Sequence, residues 1–336
     1  MRDDRSAAAC SAADRSAAAH SDADQSFAAH SDADQTAAAR SELCFSCKAM
    51  GTEFAIQINH PDGTYAGQAA WEAFRLLEEI EAELSRFLPN SDITRLNLLP
   101  PGRTMILGGH AMACLQQACA VYSATNRAFD VTAGILKDLW LPDSTWAGSL
   151  RRWARSNQMA LGMEHLVISA PEGTIGKEAP VQVDLGAIGK GYAVEQLAQR
   201  LEEWGISDFL IHGGRSSVVA RGCAPGQAGW PVRMQHPQRR GAVLARFELR
   251  DRALGASGIE KGRHIIDPRS KRPASGALAA WVIAPEAALA DALSTAFMIL
   301  TAEAIDECLA ARREVGACLL CAGVAEPQWI NWPAAR

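Results

Sequence analysis

Residues 183–195 read VDLGAIGKGYAVE, with Gly186, Gly189 and Gly191 set between an apolar, extended-looking stretch and a helix-forming one. Glycine lets a chain reverse tightly and brings backbone N–H groups close to an anion, and the start of the following helix adds partial positive charge. The segment therefore predicts a strand over 181–185, a glycine-rich turn, and a helix over 192–204 whose apolar stripe is Ala193, Leu197, Leu201 and Trp204. It is not a Walker A loop. That motif spaces its first glycine four residues from Gly-Lys and follows with Ser or Thr. Here Gly189-Lys190 comes too soon after Gly186, and Gly191 takes the place of the hydroxyl. The dinucleotide-binding glycine fingerprint fails as well. Taken alone, the segment is explained as well by a tight strand-to-helix turn as by an anion site.

Other elements follow from periodicity. Trp71, Phe74, Leu77, Ile80, Leu84 and Phe87 recur at three and four residues and predict a long amphipathic helix; Ala111, Leu115, Ala118, Cys119 and Tyr122 predict a second over 110–125. Residues 50–59 alternate as a strand that ends in the turn His60-Pro61-Asp62-Gly63. Two short strands surround Gly213-Gly214, and 241–249 forms another. Helices over about 287–300 and 302–312 precede an apolar strand at 316–322. Strands and helices mix without a βαβ rhythm, which predicts an α+β fold with mixed or antiparallel sheets and flanking helices.

Composition excludes some classes of function. The 336 residues carry 33 Lys plus Arg against 38 Asp plus Glu, a net charge of −5, so nothing in the charge suggests a nucleic-acid partner. The most apolar stretch, 278–300, is interrupted by Pro285, Glu286 and Asp291 and is not expected to span a bilayer. Residues 1–40 hold fifteen alanines, seven aspartates and four arginines in a rough ten-residue repeat, with Phe27 almost the only large apolar side chain. Such a segment cannot build a core. It is assigned as a low-complexity tail over 1–45, disordered or partly helical, ahead of one folded domain over 46–336. The tail lacks the basic start and apolar run of a secretory signal, and Cys10 has no apolar run before it. With an odd number of cysteines, nine, this gives the expectation of a reducing, cytoplasmic compartment. The pairs Cys44/Cys47 and Cys318/Cys321 have zinc-site spacing, but the second lies in ACLLCAGV, where cysteine acts as a small core residue.

Some residues invite chemistry while allowing a plainer reading. Asp291 and Thr295 in ALADALSTAFMIL lie one turn apart on an otherwise apolar helix. They suit a hard cation such as magnesium, or Asp291 simply favours the helix start. His264 precedes a short apolar pair and a turn, where it could serve as a base near neutral pH. Phe129 and Asp130 read equally as a core aromatic and a capping acid.

In order, MGTEF (50–54), LSRFLPNSDITRLN (84–97), NRAFDVTAG followed by LKDLW, VDLGAIGKGYAVE, FLIHGGRSSVVARG, LGASG, HIIDPRS and ADALSTA resemble the FAD:protein FMN transferases, the ApbE family. The eight blocks are collinear over residues 50–296. The resemblance implies an ApbE-like fold and an enzyme that binds FAD, cleaves its pyrophosphate, passes FMN to a Thr or Ser hydroxyl of an acceptor protein and releases AMP. It implies FAD contacts at Met50, Phe87, Ala128, Phe129, Asp130, Asp184, Lys190 and Ile265. It further implies a magnesium site from the carbonyl of Ala187 and the side chains of Asp291 and Thr295, and a role for His264 in activating the acceptor hydroxyl. The chain departs from the family pattern in several places. Ala256-Ser257-Gly258 stands for Thr-Ser-Gly, the stretch from Gly258 to His264 is short, Arg215-Ser216-Ser217 follows the glycine pair, Lys271 replaces a frequent glycine, and Ser294 stands where some members have a second acid. A magnesium-dependent hydrolase that splits FAD into FMN and AMP, or a flavin-binding protein without catalysis, would use the same site. Most members of the family are exported, which makes the cytoplasmic expectation distinctive.

Overall fold

The computed structural model describes residues 42–137, 159–239, 241–259, 264–324 and 326–332. The repeat expected over most of 1–45, and the LKDLW block beyond Lys137, lie outside the described residues. The first element is β1 (Glu42–Ala49), which begins inside the stretch assigned to the tail, and it forms an antiparallel hairpin with β2 (Thr52–Asn59). The expected strand over 50–59 therefore starts two residues later, because Met50 and Gly51 make the turn with φ of 50° and 70°. A two-residue turn with positive φ at both positions matches the twist of the flanking strands. Met50 is held there by its N–H, which donates to Glu81 Oε1 at 2.7 Å.

Asp62 caps α1 (Gly63–Leu84), its carboxylate accepting the N–H groups of Thr64 and Tyr65. The helix starts well before Trp71 because Ala66, Ala69, Ala70 and Ala73 supply its buried face, with Leu77, Ile80 and Leu84; Trp71 itself is exposed. Next come α2 (Asp92–Leu98), β3 (Thr104–Ile106), α3 (Gly109–Ala124), β4 (Leu166–Ser169), β5 (Thr174–Lys177) and α4 (Gly189–Glu203). The chain continues through β6 (Phe209–Gly213), β7 (Ser217–Arg221), β8 (Trp230–Gln235), β9 (Val243–Leu249), β10 (Arg252–Gly258), β11 (Ile266–Asp267) and β12 (Arg272–Pro273). It ends with β13 (Ala277–Ala284), α5 (Ala287–Phe297), α6 (Ala302–Leu309), β14 (Gly316–Cys321) and β15 (Gln328–Ile330).

One eight-stranded sheet organises these elements in the order β1-β2-β6-β7-β10-β13-β14-β15, with antiparallel neighbours throughout. Strand alternation gives it two apolar faces. Ile56, Ile211, Val219 and Val282 pack towards the helices. Leu210, Val218, Leu254 and Trp281 face the other way, under Trp230, Val232 and Met234 of the β8–β9 hairpin. The architecture is α+β, with antiparallel pairing where mixed or antiparallel sheets were expected.

Residues 181–185 do not join a sheet as expected. The Asn97 side chain does the work of a neighbouring strand: its Nδ2 donates to the Val183 carbonyl at 2.9 Å and its Oδ1 accepts the Val183 N–H at 2.7 Å. The backbone groups are thereby satisfied without a ladder. The two CxxC pairs lie on β1 and β14, with five strands between them, and Cys318 is buried in the sheet core. They do not form a common thiolate site.

Candidate active site

Two glycines, Gly191 in the first turn of α4 and Gly255 on β10, let α5 approach both elements closely. A Cβ on Gly191 would stand 2.3 Å from the Ala287 carbonyl oxygen, and one on Gly255 would stand 2.2 Å from that of Ala290. Both neighbours are backbone, which cannot move aside as a side-chain end can. The Glu195 carboxylate fastens the same junction, accepting the Ala287 N–H at 2.8 Å while pairing with Arg221 at 2.9 Å. This close packing carries Asp291 to the glycine-rich turn. Asp291 is 3% exposed, and its Oδ2 accepts the Gly191 N–H at 2.9 Å, with Lys190 Nζ 3.9 Å away. Burial pushes its carboxyl above the usual range, against the opposing pull of Lys190, the Gly191 amide and the Ser217 hydroxyl.

One turn along α5, the Thr295 hydroxyl lies 3.1 Å from Ser257 Oγ, which is also 2.9 Å from Ser294 Oγ. Ser294 thus serves packing, its hydroxyl donating to the Asp291 carbonyl at 2.8 Å. Asp291, Thr295 and Ala187 all border one cleft of about 550 Å³. A carboxylate, a hydroxyl and a carbonyl are oxygen groups of the kind magnesium takes, since it draws one or two carboxylates from a protein and completes its shell with water and phosphate oxygens. Among the described residues no group of three or more His, Cys, Asp or Glu side chains is placed to hold a metal ion.

A second centre of charge lies on the other side of Gly186. Asp184 is 7% exposed, and its Oδ1 accepts the Gly186 N–H at 2.8 Å. Its Oδ2 faces Lys137 Nζ at 2.7 Å and Arg86 Nε at 3.0 Å. A Cβ on Gly134 would lie 2.6 Å from that of Asp184, so only glycine fits beside it. Burial alone would raise the Asp184 carboxyl; the Lys137 charge and hydrogen bond, the Gly186 amide and the Arg86 charge outweigh it and hold the group below its ordinary value. Lys190, which follows the turn, donates to the Gly186 carbonyl at 3.2 Å.

The cleft is bordered further by Met50, Ala128, Phe129, Asp130, His264 and Ile265. Asp130 Oδ1 accepts the N–H and the hydroxyl of Thr132 at 2.8 and 2.7 Å, and burial raises its carboxyl despite those bonds. Phe129 is buried among core residues and also borders the cleft. Eleven of the twelve residues singled out in the sequence therefore surround one cavity. Phe87 does not. It is 75% exposed, with the Arg86 guanidinium 4.3 Å from its ring centroid. Lys137, Arg215 and Ser257, which lie in the quoted blocks but were assigned no role, also border the cleft, as does Trp281, which the sequence did not single out.

Both the sequence and the fold match known proteins. The sequence model of the ApbE family matches residues 50–319. The chain is 26% identical over 275 residues to the FAD:protein FMN transferase of Vibrio cholerae, covering 76% of this chain and 80% of that one. It is 28% identical over 273 residues to the FAD:protein FMN transferase of Klebsiella pneumoniae, covering 76% and 78%. The solved structure of flavin transferase ApbE from Vibrio cholerae superposes with a TM-score of 0.76 at 24% identity, over 86% of this chain and 96% of that one.

Proposed function

The chain belongs to the ApbE family, and from that premise we propose that it is an FAD:protein FMN transferase that joins FMN to a Thr or Ser hydroxyl of an acceptor protein and releases AMP. The observation that carries this reading is the meeting of the Asp291–Thr295 helix with the glycine-rich turn at a cleft that also holds Lys190 and His264. In the proposed reaction the acceptor oxygen attacks the flavin-side phosphorus of FAD. A new P–O bond forms, the bond to the bridging oxygen breaks, and AMP leaves with that oxygen.

Such a transfer depends mainly on positioning and on stabilising charge. Lys190, tethered to the Gly186 carbonyl, supplies a fixed cation beside the turn. Asp291, Thr295 and the Ala187 carbonyl are the residues that would hold magnesium, which neutralises phosphate charge when bound. An alcohol is far from ionised at neutral pH, so a base must accept its proton during attack. His264 borders the cleft and is assigned that task. Met50, Ala128, Phe129 and Ile265 offer an apolar wall against which a flavin or adenine ring packs.

The reading is tested by incubating the protein with FAD and magnesium, with and without acceptors that carry a candidate threonine. Protein-bound flavin that survives denaturation, together with AMP, is the expected result. AMP without an adduct would make the enzyme a hydrolase, and neither product would leave a flavin-binding protein.

A further inference from the structure

Ser257 borders the cleft and has no task in the proposed reaction. It reaches α5 because Gly255, two residues earlier on the same face of β10, lets the helix backbone come into contact with the strand. The Ser257 hydroxyl lies 2.9 Å from Ser294 Oγ and 3.1 Å from Thr295 Oγ1. Each of the three hydroxyls carries one proton and two lone pairs, so these distances alone leave the direction of donation open.

The direction is fixed at the far end. Ser294 is fully buried, and its oxygen lies 2.8 Å from the Asp291 carbonyl, a group that can only accept. The Ser294 proton is therefore occupied there, and towards Ser257 the Ser294 oxygen offers a lone pair. Ser257 donates to that oxygen and in turn offers a lone pair to Thr295. The Thr295 proton is directed at Ser257 across 3.1 Å; its other acceptor, the same Asp291 carbonyl, is 3.5 Å away and already receives Ser294. Thr295, which also borders the cleft, is left with lone pairs for a ligand and no proton to give it. An oxygen in that state can meet a hard cation, whereas a hydroxyl whose proton faced the cleft would repel one.

We propose that Ser257 is a positioning residue for the divalent-cation site, holding the Thr295 hydroxyl with its lone pairs towards the cleft through a directed chain from Thr295 to Ser257, Ser294 and the Asp291 carbonyl. The inference rests on the magnesium assignment within the flavin-transferase reading and deepens it by naming the group that prepares one of the ligands. The chain begins and ends on α5, so β10 ties Thr295 to Asp291 in addition to the helix itself. Removing the Ser257 hydroxyl leaves the Asp291 carboxylate and the Ala187 carbonyl in place, and cation binding is weakened rather than abolished.

The test is a titration of the purified protein with Mn²⁺ in place of magnesium, followed by the electron paramagnetic resonance signal of the free ion. In Ser257→Ala the affinity for Mn²⁺ falls roughly tenfold, as expected for loss of a group that orients a metal ligand. Ser257→Thr keeps the hydroxyl and stays within about threefold of wild type. The affinity of both variants for FAD in EDTA, read by flavin fluorescence, stays within about twofold, because no hydrogen bond to the nucleotide is removed. Unchanged Mn²⁺ affinity in Ser257→Ala overturns the proposal. So does a loss that Ser257→Thr fails to restore, or a matching loss of FAD affinity in EDTA, which would make Ser257 a direct substrate contact. A wild-type protein that takes up no Mn²⁺ would overturn the proposal together with the magnesium assignment beneath it; the other results overturn it with that assignment intact. None of these readouts depends on FMN transfer, whose failure is seen separately as a missing covalent adduct.

Discussion

The amide of Gly191 donates to Oδ2 of Asp291 across 2.9 Å, joining two segments one hundred residues apart in the chain. This contact makes the glycine-rich turn and the helix bearing Asp291 and Thr295 one unit, and it exists because residue 191 has no side chain. A methyl group there would lie 2.7 Å from Asp291 Cβ as well as 2.3 Å from the Ala287 oxygen. Gly191→Ala is therefore expected to cost about 2–3 kcal/mol, as overpacking against fixed neighbours does, and to lower the melting temperature by several degrees. Calorimetry on the two proteins checks this, and equal melting temperatures would contradict it.

Asp184 makes stability depend on acid. Its folded-state pKa lies below the unfolded value, so its contribution is complete above the ordinary carboxylate range near pH 4. That contribution is lost as pH falls through the lower folded value. Asp184→Asn leaves Lys137 and Arg86 facing a neutral group and is expected to cost about 3 kcal/mol at pH 7. Urea unfolding at pH 7 and at successively lower pH should show the gap between wild type and variant closing. A gap that stays constant would mean Asp184 contributes no charge interaction.

The opposite sign applies to Asp291. Burial raises its carboxyl, so the folded protein holds that proton more tightly than the unfolded chain. Stability from this group is greatest below the ordinary carboxylate range and falls as pH rises towards the raised value. At pH 7 and without divalent cations, Asp291→Asn should be at least as stable as wild type, yet it should lose magnesium-dependent transfer. Unfolding curves and transfer assays on the same sample separate the two effects; a destabilised variant with full activity would contradict both.

Much of this site was legible in sequence, for local reasons. The glycines of 186–191 and the Asp291–Thr295 spacing announce themselves because turn geometry and helix periodicity are properties of neighbouring residues. The strand assigned to 181–185 failed because its partner is the Asn97 side chain rather than another strand, and nothing near 183 records that. The meeting of Arg86 and Lys137 on Asp184 is likewise a product of the folded topology. Lys271 shows a family departure acquiring a physical meaning. It has φ of 54°, a conformation that favours glycine, and its Nζ donates to the Met159 carbonyl at 2.9 Å. The β1 strand was missed because its composition, with Cys44, Phe45 and Cys47 beside charged and polar residues, resembles the end of the tail.

His264 separates chemistry from binding. As the base for the acceptor hydroxyl, it should contribute about 100-fold or more to the rate. His264→Ala should slow transfer accordingly while FAD affinity, read by flavin fluorescence, stays within about twofold of wild type. An unchanged transfer rate would remove His264 from the reaction.

The central claim is that this cleft moves FMN from FAD onto a protein hydroxyl. Its most direct test is intact-mass analysis of an acceptor protein incubated with the enzyme, FAD and magnesium, alongside the same acceptor with its candidate threonine changed to valine. The account predicts an FMN adduct on the threonine protein, none on the valine protein, and AMP formed in step with the adduct. FAD cleavage that leaves both acceptors at their original mass would contradict it.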